Sequence, residues 1–244
     1  MLTDVSVDAG HYQVRVWSKG QGEPLLYLHG VDGLPDGAPF LNRLAQRRHV
    51  YAPEHPGFGR STGIDRIDDV LDMTLYYRDL IEALGLGSVS VIGHSLGGMF
   101  AAELAAICPQ VVSRLILVDA FGLWIDEQPI PDFFAMGGRS LRARLWHDPE
   151  SPLAQAAPAP AANGGSALDQ AVTRAGNLGT SGKFLWPLPD RGLRKRLGRI
   201  SADTLLVWGE SDKLIHPDYA AAFQTAIANS RLVLIPAAGH SPML

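Results

Sequence analysis

The sequence predicts an α/β fold, a mostly parallel central sheet flanked by helices on both faces. Short runs rich in β-branched and aliphatic residues, bounded by glycine or proline, recur at 12–17, 25–29, 50–52, 89–92, 115–118, 204–208 and 232–235. Most are continuously apolar, as strands buried on both faces are. Segments of helical period lie between several of them, and alternating strands and helices imply a parallel sheet under helices.

The helical segments follow in order. Met73, Tyr77, Leu80, Ile81 and Leu84 fall at i, i+4, i+7, i+8 and i+11, which aligns them on one apolar face. The run VSVI ends directly in GHSLGG, and GMFAAELAAI continues as a helix. Pro217 suits the first turn of a later helix, with Tyr219, Phe223 and Ile227 along one side.

Residues 121–200 break the rhythm. They contain no clear buried strand but carry Trp124, Phe133, Phe134, Trp146, Phe184 and Trp186, several arginines, and the stretch SPLAQAAPAPAANGG. Eighty structureless residues inside a compact domain are improbable. The expected organisation is therefore a core of residues 1–120 and 201–244 with a helical cap insertion at 121–200, flexible at 151–165.

Composition bounds the function. The 244 residues carry a net charge of −4 with no long basic run, which excludes a nucleic-acid footprint and attraction to an anionic membrane. The N-terminus lacks the basic start and apolar core of a signal peptide, and no apolar stretch reaches the roughly 18 residues that span a bilayer. Cys108 is the single cysteine, so an intrachain disulfide is impossible; it reads as a small buried hydrophobe. The expectation is a cytoplasmic protein.

The chemistry centres on Gly93-His94-Ser95-Leu96-Gly97, which matches G-x-S-x-G. A strand that ends in a strained turn and restarts as a helix lifts the serine hydroxyl clear of the sheet. Flanking glycines keep side chains from colliding across that turn. The alternative is an ordinary capping serine. A serine hydroxyl needs a general base at neutral pH. His240, on a glycine loop directly after the last apolar run, is the best candidate. The base in turn needs a carboxylate on its other ring nitrogen. Asp212, in a turn just past a strand, is preferred, with Glu210 its neighbour and Asp119 the alternative at another strand end. His11, His49, His55, His147 and His216 show no metal-ligand spacing, and there is no Cys/His cluster, so no metal is expected. Gly57-Phe58-Gly59 lacks the lysine of a phosphate loop.

LLYLHGVDG, APEHPGFGRS, VIGHSLGG, LLVWGESDKLIHP and AAGHSP occur in that order. Together they resemble the α/β-hydrolase-fold serine hydrolases over essentially the whole chain outside the insertion. The resemblance implies a Ser95–His240–Asp212 triad and an oxyanion hole made by the backbone N–H groups of Val31 and Leu96. It implies structural roles for His29 and for His94, the latter in packing and hydrogen bonding. It also implies hydrolysis through an acyl-enzyme, with no cofactor. Relatives continue into a further C-terminal helix, whereas this sequence stops four residues after His240. The corresponding expectation is a truncated sequence whose His240 loop is less firmly held.

Trp124, Phe133, Phe134, Met136 and Trp186 are the expected pocket lining, and they serve equally as the insertion's own core. Small or medium apolar carboxylic esters, including lactones, are the expected substrates, since no tight basic cluster faces the motifs. Carbon–carbon hydrolysis of a dienoic keto acid from aromatic ring cleavage is the alternative, with Arg139, Arg142, Arg144 or Arg174 to meet its carboxylate. Dehalogenase chemistry is disfavoured, because that branch carries an aspartate where Ser95 stands. A non-catalytic ligand-binding protein on the same fold is the rival of another class. The partner expected is a small ester-type molecule, and the oligomeric state is left open.

Overall fold

The computed structural model describes residues 1–34, 38–156, 167–188 and 190–244. Eight strands form one sheet: β1 (Leu2–Val7), β2 (Tyr12–Lys19), β3 (Pro24–Leu28), β4 (His49–Pro53), β5 (Val89–His94), β6 (Val112–Val118), β7 (Asp203–Gly209) and β8 (Ser230–Ile235). Their spatial order is β1-β2-β4-β3-β5-β6-β7-β8. β2 pairs antiparallel with β1 and β4, and the pairs from β4 to β8 are parallel. The predicted α/β architecture is thus observed. β1 is the strand that patterning overlooks. LTDVSV lies on the sheet's edge with only Val7 fully buried, so its apolar signal is diluted by polar residues facing solvent.

Seven helices accompany the sheet among the described residues: α1 (Pro39–Leu44), α2 (Val70–Ala83), α3 (Leu96–Ile107), α4 (Gly138–Leu145), α5 (Pro152–Ala156), α6 (Ala167–Leu185) and α7 (Pro217–Ala226). α2 begins where Asp69 accepts hydrogen bonds from the N–H groups of Leu71 (2.8 Å) and Asp72 (3.0 Å), a cap worth ~1 kcal/mol. Its stripe of Met73, Tyr76, Tyr77, Leu80 and Ile81 is buried against the sheet and α3. α3 is buried all round from Leu96 to Ala106, so it runs through the core instead of over it. α2, α3 and α7 share one apolar cluster on one face, and α1 closes a smaller cluster with Leu25, Tyr27, Val50 and Ile92 on the other.

Between β6 and β7 the described residues hold no strand, and α4, α5 and α6 lie there. This insertion is tied to the core. Phe184 packs edge-on against Phe100 of α3, and Arg196 meets the buried Glu103 of α3 through two hydrogen bonds of 2.7 and 2.5 Å. A buried carboxylate needs such a bidentate partner to offset its desolvation. The expected flexible stretch 151–165 falls partly on α5 (Pro152–Ala156), and its remainder lies outside the described residues.

Candidate active site

The site sits at the C-terminal ends of the parallel strands. Ser95 separates β5 from α3 with φ 55° and ψ −118°, a left-handed conformation that costs a non-glycine residue energy. The turn is held by Ser95 N–H donating to the Val118 carbonyl (2.9 Å), while the Ser95 carbonyl accepts from Gly98 (3.0 Å) and Phe121 (3.1 Å). The glycine bracket follows from crowding. A Cβ on Gly93 would lie 2.3 Å from the Gly97 carbonyl oxygen, and one on Gly97 would lie 2.2 Å from that of Leu28. Only hydrogen fits where strand, turn and helix cross so closely.

Three residues from distant parts of the chain form one hydrogen-bonded line. The loop after β8 carries His240, whose Nε2 is 2.9 Å from Ser95 Oγ and whose Nδ1 is 2.7 Å from Asp212 Oδ2. Asp212 Oδ1 accepts from the N–H groups of Leu214 (2.8 Å) and Ile215 (2.9 Å). These bonds fix its carboxylate and leave Oδ2 to face the ring. All three side chains are buried. With Nδ1–H donating to the carboxylate, Nε2 accepts the serine proton, which is the geometry a general base requires.

Neither alternative carboxylate hydrogen-bonds the His240 ring. Glu210 is exposed. Asp119, at the end of β6 with φ 43°, accepts the Gly209 N–H (3.0 Å) and makes no hydrogen bond to His240. Burial, and then the charge of Asp212, pushes its carboxyl well above the ordinary range. Asp119, Asp212 and His240 place ligand-type atoms within 4.8 Å of one another. Both Asp212 oxygens and both His240 ring nitrogens are already committed to the hydrogen bonds above, so the trio offers a cation few free lone pairs.

Among the described residues, no acceptor takes the backbone N–H of Val31 or of Leu96. Other N–H groups of the two loops are occupied: Gly97 N–H donates to the His29 carbonyl (3.0 Å) and Gly33 N–H to that of Gly30 (3.1 Å). Beneath the loop after β3, the buried rings of His29 and His55 stack with centroids 3.5 Å apart. His29 Nδ1 donates to the Gly30 carbonyl (2.8 Å), and its Nε2 accepts the His55 N–H (3.0 Å). His55 Nε2 returns a bond to the His29 carbonyl (2.8 Å), and Tyr77 donates its hydroxyl to His55 Nδ1. Burial lowers both histidines, His29 to about 4, so they remain neutral and act as fixed hydrogen-bonding struts.

The aromatics between β6 and β7 form a row outward from His240. Phe121 lies 6.1 Å from the His240 ring, Phe133 5.5 Å from Phe121, Phe134 stacks on Phe133 at 4.3 Å, and Trp186 meets Phe134 edge-on at 5.9 Å. Phe133 is buried, Phe134 half-buried and Trp186 exposed. Trp124 stands apart from this row. Its indole donates to Asp126 (2.8 Å), and its carbonyl accepts from Arg194 (2.8 Å). Met136, half-buried, packs against the main core. Phe121 is the member of the row that sequence reasoning missed, although its place two residues after a strand-end aspartate was a usable signal.

The His240 loop is held at several points. The His240 N–H donates to the Leu145 carbonyl at the end of α4 (2.8 Å), and the His240 carbonyl accepts from His94 Nε2 (2.7 Å). Lys213 N–H donates to the Arg144 carbonyl (3.1 Å), and His147 Nδ1 pairs with Ser211 Oγ (2.7 Å). The foot of the insertion thus grips both loops, a support that patterning could not reveal.

Comparison with known proteins gives a consistent result. The sequence profile of the alpha/beta hydrolase fold matches residues 23–244. Lipase 1 of Psychrobacter immobilis is 26% identical over 91% of this chain and 73% of its own length. The 2-hydroxy-6-oxo-6-phenylhexa-2,4-dienoate hydrolase of Burkholderia cepacia is 25% identical over 94% of this chain and 85% of its own. The solved esterase EaEST from Exiguobacterium antarcticum, 22% identical, superposes with a TM-score of 0.79, covering all of this chain and 94% of the other. That likeness speaks to the fold.

Proposed function

The chain belongs to the α/β-hydrolase fold family and is a hydrolase on that fold; on that premise we propose that it is a serine hydrolase cleaving small to medium apolar carboxylic esters or lactones. The observation that carries the reading is the aligned pair of hydrogen bonds Ser95–His240–Asp212, at 2.9 and 2.7 Å.

In this mechanism Ser95 Oγ attacks the ester carbonyl carbon while His240 Nε2 takes its proton. Asp212 Oδ2 holds Nδ1–H and stabilises the imidazolium. The oxygen that becomes negative is received by the N–H groups of Val31 and Leu96, and each such donor is worth ~3 kcal/mol in the transition state. Collapse expels the alcohol, which leaves with the proton from Nε2. Water, deprotonated by the same nitrogen, then attacks the acyl-enzyme and restores Ser95. The row Phe121–Phe133–Phe134 favours an apolar acyl or alcohol group over a charged one. The lipases among the relatives support ester chemistry.

Carbon–carbon hydrolysis is the second reading. It is favoured by the two dienoate hydrolases that match 94% and 98% of the chain at 25% and 26% identity. A bare ligand-binding protein has no use for a serine held in a strained turn against a buried base. Fluorophosphonate labelling tests the class, and activated esters assayed beside a ring-cleavage product separate the two chemistries. The expected result is Ser95-dependent labelling, abolished in Ser95→Ala, with turnover of butyrate or hexanoate esters. Folded protein that shows no labelling overturns the hydrolase mechanism, and turnover of the ring-cleavage product alone overturns the ester reading.

A further inference from the structure

His94 precedes the nucleophile and has no part in the mechanism above. Its half-buried ring lies between two loops. On one side Nε2 is 2.7 Å from the carbonyl oxygen of His240, a contact between residues 146 positions apart in sequence. A carbonyl only accepts, so Nε2 carries the proton and Nδ1 is bare. On the other side the ring lies against the loop after β3, where a Cβ on Gly30 would be 3.0 Å from Nδ1 and 3.0 Å from the Cβ of Ser95. The rings of His94 and His240 are 5.2 Å apart, so no side chain intervenes between anchor and base.

From this geometry we infer that His94 is a positioning residue for the base, with its Nε2–H fixing the His240 carbonyl and thereby the distance from imidazole to Ser95. The consequence follows from the covalent frame. His240 is held by its backbone N–H, to Leu145, and by its carbonyl, to His94. Two bonds, one through its N–H and one through its carbonyl, fix the backbone position of His240. Losing one lets the ring pivot about the other. The His94 ring stays neutral as the imidazolium forms, because burial and the neighbouring His240 both lower it, to about 3. The anchor therefore survives the charge cycle of the reaction.

The inference rests on the serine-hydrolase reading, and its test separates the two. His94→Met keeps length and removes the donor, His94→Asn is too short to reach, and His94→Gln returns an N–H near the position of Nε2. Each folded variant is assayed for ester turnover and for its second-order rate of fluorophosphonate labelling. Because misplacing a catalytic group by about 1 Å can cost on the order of 100-fold, kcat is expected to fall at least tenfold in His94→Met and His94→Asn, with KM within about twofold. His94→Gln is expected to recover most of the loss. Native rates in His94→Met, or equal impairment in His94→Gln and His94→Met, overturn the inference while leaving the mechanism intact. No labelling of the native chain overturns the mechanism itself. Should the variants fail to fold, the 15N shifts of the native histidines decide. His94 is expected as the neutral Nε2–H tautomer from pH 6 to 9, and an Nδ1–H tautomer overturns the anchor.

Discussion

Asp119 and Asp212, from the ends of the neighbouring strands β6 and β7, bring their carboxyl groups within 4.8 Å of one another and of His240. The two are not equivalent. Asp212 has both oxygens engaged, whereas Asp119 has one oxygen on the Gly209 N–H and the other without a partner among the described residues. Two buried negative charges so close are costly, and the less supported one takes up a proton. Asp119 is that group, its carboxyl raised by burial and by the charge of Asp212.

The sign of its effect on stability follows. From the ordinary carboxylate range up to its raised folded value, Asp119 holds a proton in the folded state that the unfolded chain has released. Stability from this group therefore falls as pH rises through that window. Asp119→Asn mimics the protonated acid and removes the fall. Melting temperatures at pH 5 and pH 8 are expected to show a variant that gains on the native chain at the higher pH. An unchanged or reversed difference means that Asp119 is ionised.

Asp212→Asn is expected to behave differently. The amide keeps the shape but offers His240 a donor or a neutral acceptor, which disturbs the tautomer with Nε2 free to accept. A loss in kcat on the order of 10⁴ is the precedent for such a change in a Ser-His-Asp site. Steady-state kinetics on an activated ester, alongside Asp119→Asn, measure the contrast. Equal losses in the two variants contradict Asp212 as the sole partner of the base.

Three histidines set an acid limit. Desolvation pushes His29 down to about 4 and His94 to about 3, and holds His55 well below the ordinary value near 6.5. As pH falls below about 6.5 the unfolded chain binds protons that the folded chain refuses. Stability is complete above that pH and is lost progressively toward pH 4. Thermal melts between pH 7 and 4.5, run on Asp119→Asn to remove the opposing carboxyl, are expected to show a falling melting temperature. A flat profile over that range rules out buried neutral histidines as its main titrating groups.

Much of this site was readable because its chemistry needs particular side chains in particular local contexts. A serine between glycines at a strand–helix junction, an aspartate after β7 and a histidine after β8 each carry a local signal, and parallel strand order brings their loops to one end of the sheet. What escaped notice depends on backbone. Leu145 and His240 contribute carbonyl oxygens, which every residue has, so neither the grip of α4 on the His240 loop nor the partner of the hydrogen bond expected of His94 leaves a pattern in sequence. The same holds for β1, whose pairing with β2 satisfies backbone groups while its side chains face solvent. The insertion's aromatics were legible as residues but not as a row, because their order in space depends on how α4 and α6 fold back.

That row predicts selectivity. Phe134 and Trp186 lie at its outer end, half-buried and exposed, so replacing them disturbs the core less than replacing the buried Phe133. Phe134→Ala and Trp186→Ala are expected to raise KM for a hexanoate ester several-fold more than for an acetate ester, since edge-on and stacked aromatic contacts are each worth about 1 kcal/mol beyond area burial. Melting temperature serves as the control. Identical effects on the two esters mean that the acyl chain does not reach the row.

The elbow itself predicts a sharp contrast between glycines. Gly97 is closed in by the backbone of Leu28 and His29, whose oxygens would stand 2.2 and 2.5 Å from a new Cβ. Neither can retreat without pulling β3 out of register with β5, because Leu28 pairs with Gly93 there. Gly97→Ala is therefore expected to yield little soluble protein, or a melting temperature lower by more than 10 °C, at roughly 2–4 °C per kcal/mol for a chain of this size. Gly176, on α6, has open space at its Cβ position among the described residues, its own helix backbone aside. Gly176→Ala is expected to hold or raise the melting temperature, since alanine is favoured over glycine in a helix by roughly 0.5–1 kcal/mol. Calorimetry of the two variants reads the comparison directly. A folded, stable Gly97→Ala protein would show that the strand, turn and helix cross less tightly than the junction at Ser95 requires.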